Sequence, residues 1–193
     1  MSDYYKEHAQ EFIDSTFNCD MSVQYHFFEK YLKSKGTILD IGFGSGRDSL
    51  YFKANGYNVY AIDPEESFVK HAQENGLENV YQLKAEDISF KNMFDGIWAC
   101  ASLLHVSSAN IPSVLAKCSE ALKKGGIMYA SFKYGDFEGE RNGRFYLDLN
   151  ENAIKRFLQE SDLELVETLI TEDVRIGNNT KWFNIILRNK NGN

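Results

Sequence analysis

The chain reads as an α/β protein built on a mostly parallel sheet, and three observations predict it. From Thr37 onward, short β-branched runs alternate with amphipathic helical stretches, the pattern of strand–helix–strand units. A glycine-rich turn, Gly42-Phe43-Gly44-Ser45-Gly46, joins the first strand directly to a helix. The last two strand runs are linked through Gly177-Asn178-Asn179, close enough in sequence to pair antiparallel.

Taken in order, residues 1–36 read as a helical cap and 37–193 as the core of one domain. The cap holds a first helix from Asp3 to about Ser15, and a second that starts near Asp20 or Ser22 with Val23, Phe27 and Tyr31 along one face. Lys30, Lys33 and Lys35 crowd its last turn before Gly36, as the helix dipole favours. Thr37–Ile41 is the first strand, bounded by Gly36 and Gly42, and a helix follows from Arg47. Val59–Asp63 is the second, with a helix from about Glu65 to Asn75 closed by Gly76. Val80–Leu83 and Phe94–Ala101 are the third and fourth. Ile111, Val114, Leu115, Cys118 and Leu122 recur at helical spacing in the helix Ser108–Lys123, which Gly125-Gly126 ends. After a fifth strand, Ile127–Phe132, a polar loop is expected from Lys133 to about Asn150. A short helix, Glu151–Gln159, precedes the last strands, Leu163–Thr171 and Trp182–Arg188.

Composition narrows the function. The 193 residues are 43% hydrophobic, enough for a full core, and the formal charge of −7 argues against a general nucleic-acid binder. Cys19, Cys100 and Cys118 are odd in number and lack C-x-x-C spacing, so neither a disulfide framework nor a zinc knuckle is indicated, and no metal is expected. No leader-like or membrane-length apolar run is present. The expected location is the cytoplasm, as a monomer or homodimer.

The glycine turn points to a ligand. In the dinucleotide fingerprint G-x-G-x-x-G/A the third small residue lets the helix pack under a pyrophosphate. Arg47 stands at that position here, and the third glycine comes one residue early. Asp40, two residues before Gly42, would repel a pyrophosphate and suits a ligand that carries positive charge. Asp63 ends the second strand 21 residues after Gly42, where a carboxylate accepts hydrogen bonds from both hydroxyls of a ribose. Ala101, Ser102 and His105 follow the fourth strand, and ligands in open α/β sheets sit beyond those strand ends. Two roles are open to His105: a general base, or packing on the ligand with a bond to a backbone carbonyl.

Asp40-x-Gly42-x-Gly44-x-Gly46 resembles the first motif of class I S-adenosylmethionine (SAM)-dependent methyltransferases. The continuation Gly46-Arg47-Asp48-Ser49 is similar to bacterial small-molecule members of the tellurite- and thiopurine-type group. The resemblance implies a Rossmann-like fold with a seven-stranded, mostly parallel sheet, a C-terminal antiparallel hairpin and an N-terminal helical extension. It implies SAM as cofactor and S-adenosylhomocysteine as product, with Asp40, Gly42, Gly44, Gly46, Arg47, Asp63, Ala101 and Ser102 at the cofactor. It further implies Asp87 and Ile88 at the adenine, and aromatic residues of the cap folded over SAM, with Tyr4, Tyr5 and His26 as candidates. For the acceptor, Lys133, Arg141 and Arg144 suit an anionic small molecule, with Tyr134 or Glu138 orienting or deprotonating its nucleophile and Trp182 nearby. Neither nucleic acid nor membrane is expected as partner. The alternatives are a SAM-binding protein without turnover, a methyltransferase of proteins or nucleic acids, and a nicotinamide oxidoreductase, which Arg47 and Asp40 oppose.

Overall fold

A computed structural model describes residues 4–33, 35–159, 161–175 and 177–190, with side chains from residue 8 onward. Its centre is a seven-stranded sheet in the order β3-β2-β1-β4-β5-β9-β8. The strands are β1 (Thr37–Ile41), β2 (Asn58–Asp63), β3 (Asn79–Gln82), β4 (Phe94–Ala99), β5 (Leu122–Lys133), β8 (Leu163–Glu172) and β9 (Lys181–Asn189). The first five run parallel, and β9 lies antiparallel to both β5 and β8. Central strands buried on both faces are mostly apolar: in β4, Ile97, Trp98 and Ala99 are all fully buried.

Chain order reverses between β1 and β4, so their carboxyl ends diverge and leave a crevice above the sheet. Helices α3 (Arg47–Ala54) and α4 (Glu66–Glu74) follow β1 and β2, while α5 (Ile111–Ala121) connects β4 to β5. The α5 stripe of Ile111, Val114, Leu115 and Cys118 packs into the largest core cluster, as its spacing predicts. The N-terminal helices α1 (Tyr4–Thr16) and α2 (Ser22–Glu29) lie at the crevice. Phe28 of α2 packs on Phe52 and Trp98, and Phe12 of α1 on Phe68 of α4.

Four expectations need correction. The helix before β5 ends at Ala121, and Leu122, Gly125 and Gly126 belong to β5 rather than to the helix and its stop. Residues 133–150 are not a plain loop: β6 (Glu138–Arg141) and β7 (Arg144–Leu147) form an antiparallel hairpin. Its two-residue turn, Asn142-Gly143, has φ of 51° and 72°, the positive pair that a type I′ turn requires and that Asn-Gly supplies at little cost. The fourth strand stops at Ala99, because Ala101 takes a φ of 50° and leaves the sheet. On α2, Val23 is 57% exposed, and the buried face is instead Gln24, Tyr25, Phe27 and Phe28. A short helix α6 (Glu151–Phe157), capped by the Asn150 side chain, completes the chain before β8. Among the described residues no helix is long and apolar enough to cross a membrane.

Candidate active site

One cavity of about 270 Å³ opens at the carboxyl ends of β1, β2, β4 and β5, under α1 and α2. The β1–α3 turn forms one wall. Gly42 has a φ of 68°, and a Cβ there would lie 2.5 Å from the Ser102 Cβ; at Gly44, φ is 52° and a Cβ would meet Phe12 at 2.7 Å. Both positions need glycine for conformation and for space. The backbone at Gly42 and Gly44 lines the cavity, whereas Gly46, in the left-handed conformation, serves as the cap residue of α3 and does not.

Asp63 ties this turn to β2. Its Oδ2 accepts the Gly44 N–H at 3.1 Å and its Oδ1 accepts the Glu65 N–H at 2.9 Å. Burial pushes the Asp63 carboxyl up to about 6, while the two N–H donors pull the other way. Asp40 sits behind the turn. It is 2% exposed, accepts the Ser49 hydroxyl at 2.5 Å and does not line the cavity, so the expected direct contact with cofactor gives way to support of the turn. Burial first, then the neighbouring Asp48 carboxylate, hold the Asp40 carboxyl well above the usual range, a state that a bound cation relieves.

Asp48 is the hub that the sequence motif hides. Its Oδ1 accepts the Tyr25 hydroxyl at 2.6 Å and Arg47 Nε at 2.7 Å, and its Oδ2 accepts Arg47 Nη2 and Trp98 Nε1, each at 2.9 Å. Arg47 also donates through Nη1 to the Thr16 carbonyl at 3.1 Å, which fastens the end of α1 to the head of α3. Arg47 lines the cavity.

Past β3, Leu83, Lys84, Ala85 and Glu86 line the cavity. Asp87 and Ile88 do not: Asp87 is exposed, Ile88 is 3% exposed inside the core, and the Ile88 N–H turns back toward the Ala85 carbonyl at 3.5 Å. The short 3₁₀ turn Ala85–Asp87 thus presents the preceding pair instead. Ala101 and Ser102 lie on the cavity wall. The Ala101 N–H donates to Ser131 Oγ at 2.9 Å, and the buried Ser102 Oγ has no partner among the described residues.

His105 lines the far end. Its Nδ1 lies 2.7 Å from the Phe145 carbonyl, which only accepts, so Nδ1 carries the proton and Nε2 is the basic nitrogen. Burial lowers the imidazole to about 4, assisted by the cations Arg144 and Lys133, so the ring is neutral at physiological pH. Beside it stand Arg144 and Tyr146 of β7, then Glu172 at the end of β8 and Asp173 and Arg175 from the β8–β9 connection, with Trp182 and Asn184 of β9. Arg175 makes a two-pronged pair with Asp173 at 2.7 and 2.9 Å, and Trp182 Nε1 and Asn178 Nδ2 hold the same carboxylate.

Four sequence candidates fall elsewhere. Tyr134 is 43% exposed and points its hydroxyl at Glu151, 3.3 Å away, off the cavity. Arg141 is committed to Asp148 through both terminal nitrogens and stacks on Phe137, and Lys133 lies 4.0 Å above the Tyr146 ring. The carboxylate of Glu138 accepts the Ser108 N–H at 2.8 Å. Neither Tyr134, Arg141, Lys133 nor Glu138 lines the cavity. The Tyr5 side chain lies outside the described residues. His26 is exposed on α2 and faces a surface groove instead. Conversely, Phe12, Thr16, Met21 and Gln24 of the cap and Arg175 were not legible as site residues. Tyr146 had a signal, the Asn-Gly turn that places β7.

Residues 39–130 match the methyltransferase domain family. Among curated proteins, the chain is 33% identical over 103 residues to a ubiquinone biosynthesis O-methyltransferase of Rickettsia prowazekii, covering 51% of this chain and 40% of that protein. It is 26% identical over 126 residues to an alpha N-terminal protein methyltransferase of Dictyostelium discoideum, covering 61% and 44%. The chain thus spans less than half the length of these relatives. Among solved structures, the Burkholderia thailandensis 1,6-didemethyltoxoflavin-N1-methyltransferase, bound to 1,6-didemethyltoxoflavin and S-adenosylhomocysteine, superposes with a TM-score of 0.78 at 20% identity, over 97% of this chain and 84% of that one. The [4+2]-cyclase SpnF gives 0.69 at 16% identity, over 85% and 78%. At such identities the structures speak for fold, and a cyclase among them shows why the site must argue the chemistry. Residues 39–130 are thus similar to methyltransferase domains, and the glycine turn and the Asp63 strand end resemble those of class I SAM-dependent methyltransferases.

Proposed function

We propose that this chain transfers a methyl group from SAM to a small polar acceptor bound between the β7 hairpin, the β8–β9 connection and α2. The observation that carries the reading is the continuity of the cavity, from Asp63 and the glycine turn to His105, Arg144 and Arg175. A cofactor with two cationic centres and no phosphate fits the residues present: the two glycines leave room for its approach, and the buried carboxylates of Asp40 and Asp63 favour its charge.

SAM, when bound, supplies a methyl group on a sulfonium, an electrophile that needs no further activation. The chain's own residues supply position. Asp63 offers acceptors for ribose hydroxyls, the 83–86 segment walls the base, and Arg47 and Ser102 offer donors near the turn. At the acceptor end, burial and the cations Arg141, Arg144 and Arg175 hold the Lys133 ammonium below its usual range. Arg144 and Arg175 on the cavity wall support an acceptor with an anionic or electron-rich group. Neutral His105, with Nδ1–H fixed on Phe145, offers Nε2 to orient an acceptor hydroxyl or N–H; a base held near 4 is suited to positioning more than to deprotonation at neutral pH. Holding nucleophile and methyl in line is worth about 7–11 kcal/mol.

Calorimetric titration with SAM, S-adenosylhomocysteine and NADH tests the cofactor half. Micromolar affinity for the two adenosyl ligands and none for NADH is expected. Absence of adenosyl binding would overturn the reading.

A further inference from the structure

Two residues that line the cavity, Ser102 and Gln24, each keep a buried side-chain oxygen, Ser102 Oγ and Gln24 Oε1, that has no hydrogen-bond partner among the described residues. Ser102 abuts Gly42 at the cofactor turn. Gln24 has no such neighbour in the binding motifs, yet it is 5% exposed and belongs to the buried face of α2. Leaving a buried amide oxygen without a donor costs about 1–3 kcal/mol, so a native chain retains one where a ligand completes it.

Helix geometry says which end of the cavity Gln24 serves. Tyr31 is seven residues on, close to two full turns, so both lie along one stripe of α2 and its continuation. The Tyr31 hydroxyl bonds Glu167 on β8. Tyr25, about 100° around the helix, reaches to one side, to Asp48 on α3. Gln24 therefore leans toward β5, β9 and β8, away from the glycine turn. The polar groups lining the cavity there are already committed. Tyr129 donates to Asn184 Oδ1 at 2.7 Å, and Asn184 Nδ2 donates to Leu169 O and Thr171 Oγ1. Ser131 Oγ serves the Ala101 N–H and Cys100 Sγ.

Resting on the methyltransferase reading, we propose that Gln24 is a specificity-determining residue for the acceptor: its carboxamide takes a hydroxyl or N–H that the acceptor inserts between α2 and the sheet. The acceptor is then a compact molecule with a neutral hydrogen-bond donor at its leading end, and an apolar molecule of equal size is rejected because Gln24 stays unpaired against it.

The test uses the full chain saturated with S-adenosylhomocysteine and titrated with phenol, benzamide and toluene, followed by ligand-observed NMR. The parent is expected to bind phenol and benzamide about tenfold more tightly than toluene. Gln24→Leu should lose that preference, hold S-adenosylhomocysteine as the parent does, and unfold at higher urea when ligand-free. Gln24→Met, unbranched and similar in length, serves if the leucine variant misfolds. A parent without the preference, or variants that keep it, would overturn the assignment. Failure of the parent to bind S-adenosylhomocysteine is a separate result: it removes the methyltransferase reading, and this inference falls with it.

Discussion

Asp63→Asn separates what the site does for ligand from what it does to the fold. The parent carboxylate is 5% exposed and held by two backbone N–H groups, from Gly44 and Glu65. Its burial moves it from an ordinary 3.8 to about 6. A folded-state value above the unfolded one means that the folded chain binds the extra proton between those limits. The contribution to stability is fully present below about 4 and is lost as pH rises through 6. At pH 7.5 the ionised side chain therefore costs about 3 kcal/mol relative to a neutral one. Asparagine removes that cost but keeps one oxygen, so one of the two N–H groups loses its acceptor, returning about 1–3 kcal/mol.

The ligand-free variant is accordingly expected to match the parent at pH 7.5 or exceed it by up to about 2 kcal/mol. At pH 4.5, where the parent is largely protonated, that advantage should vanish. Cofactor binding should move the other way. Charge-assisted bonds to ribose hydroxyls are worth about 1.5–3 kcal/mol, so affinity for S-adenosylhomocysteine should fall about 10- to 100-fold. Urea unfolding at the two pH values and calorimetry at 7.5 measure both. A variant that is less stable than the parent at pH 7.5 and binds S-adenosylhomocysteine equally well would refute the reasoning.

Three further outcomes follow from the geometry. Asp48→Ala removes the acceptor of Tyr25, Arg47 and Trp98 at once and leaves a buried guanidinium without its carboxylate; a loss of about 3–5 kcal/mol is expected in urea, with a changed Trp98 emission. His105, held near 4, remains neutral from pH 5 to 8, so turnover should show no inflection from it in that range; one near 6.5 that disappears in His105→Gln would contradict its buried, carbonyl-bonded state. Tyr134→Phe should leave S-adenosylhomocysteine affinity and turnover unaltered, since the hydroxyl faces Glu151; a large fall in turnover would return Tyr134 to the site.

The parallel strands were legible because each is a short apolar run bracketed by glycine or a capping residue, and Asp63 was legible from its spacing to the glycine turn; the order of the strands in the sheet was not. Side-chain direction at the strand ends was not. Ala101 adopts a left-handed φ that no β-strand pattern foretells, and Ala101, Ser102 and His105 all line the cavity beyond it. On α2 the apolar spacing of Val23, Phe27 and Tyr31 suggested a face with Val23 inside. Packing of Phe28 and Tyr25 against Trp98 rotates the helix so that Val23 faces water and Gln24 is buried. Tertiary packing overruled the stripe. The hairpin was a different failure: Asn142-Gly143 is a strong hairpin signal, but charged residues on both sides masked the alternation.

Several costly departures from good folding practice lie at or just behind the rim of the same crevice. Asp40 and Asp63 are carboxylates buried at the ends of β1 and β2. Ala101 holds a positive φ just beyond β4, and Ser102 and Gln24 keep buried oxygens without partners among the described residues. Each costs about 1–3 kcal/mol, and none is needed to close the core, since Ile38, Leu39, Ile97, Trp98 and Phe183 are fully buried without them. A chain optimised for stability alone would replace them. Their shared position means that a ligand carrying positive charge and hydrogen-bond donors relieves several of them together, so binding should raise the unfolding temperature by more than it would in a site built of satisfied groups. Comparing the parent with Gln24→Leu and Asp63→Asn, each with and without saturating S-adenosylhomocysteine, measures that coupling. The gain on binding should shrink in Asp63→Asn and persist in Gln24→Leu, because only Asp63 belongs to the cofactor's half of the crevice.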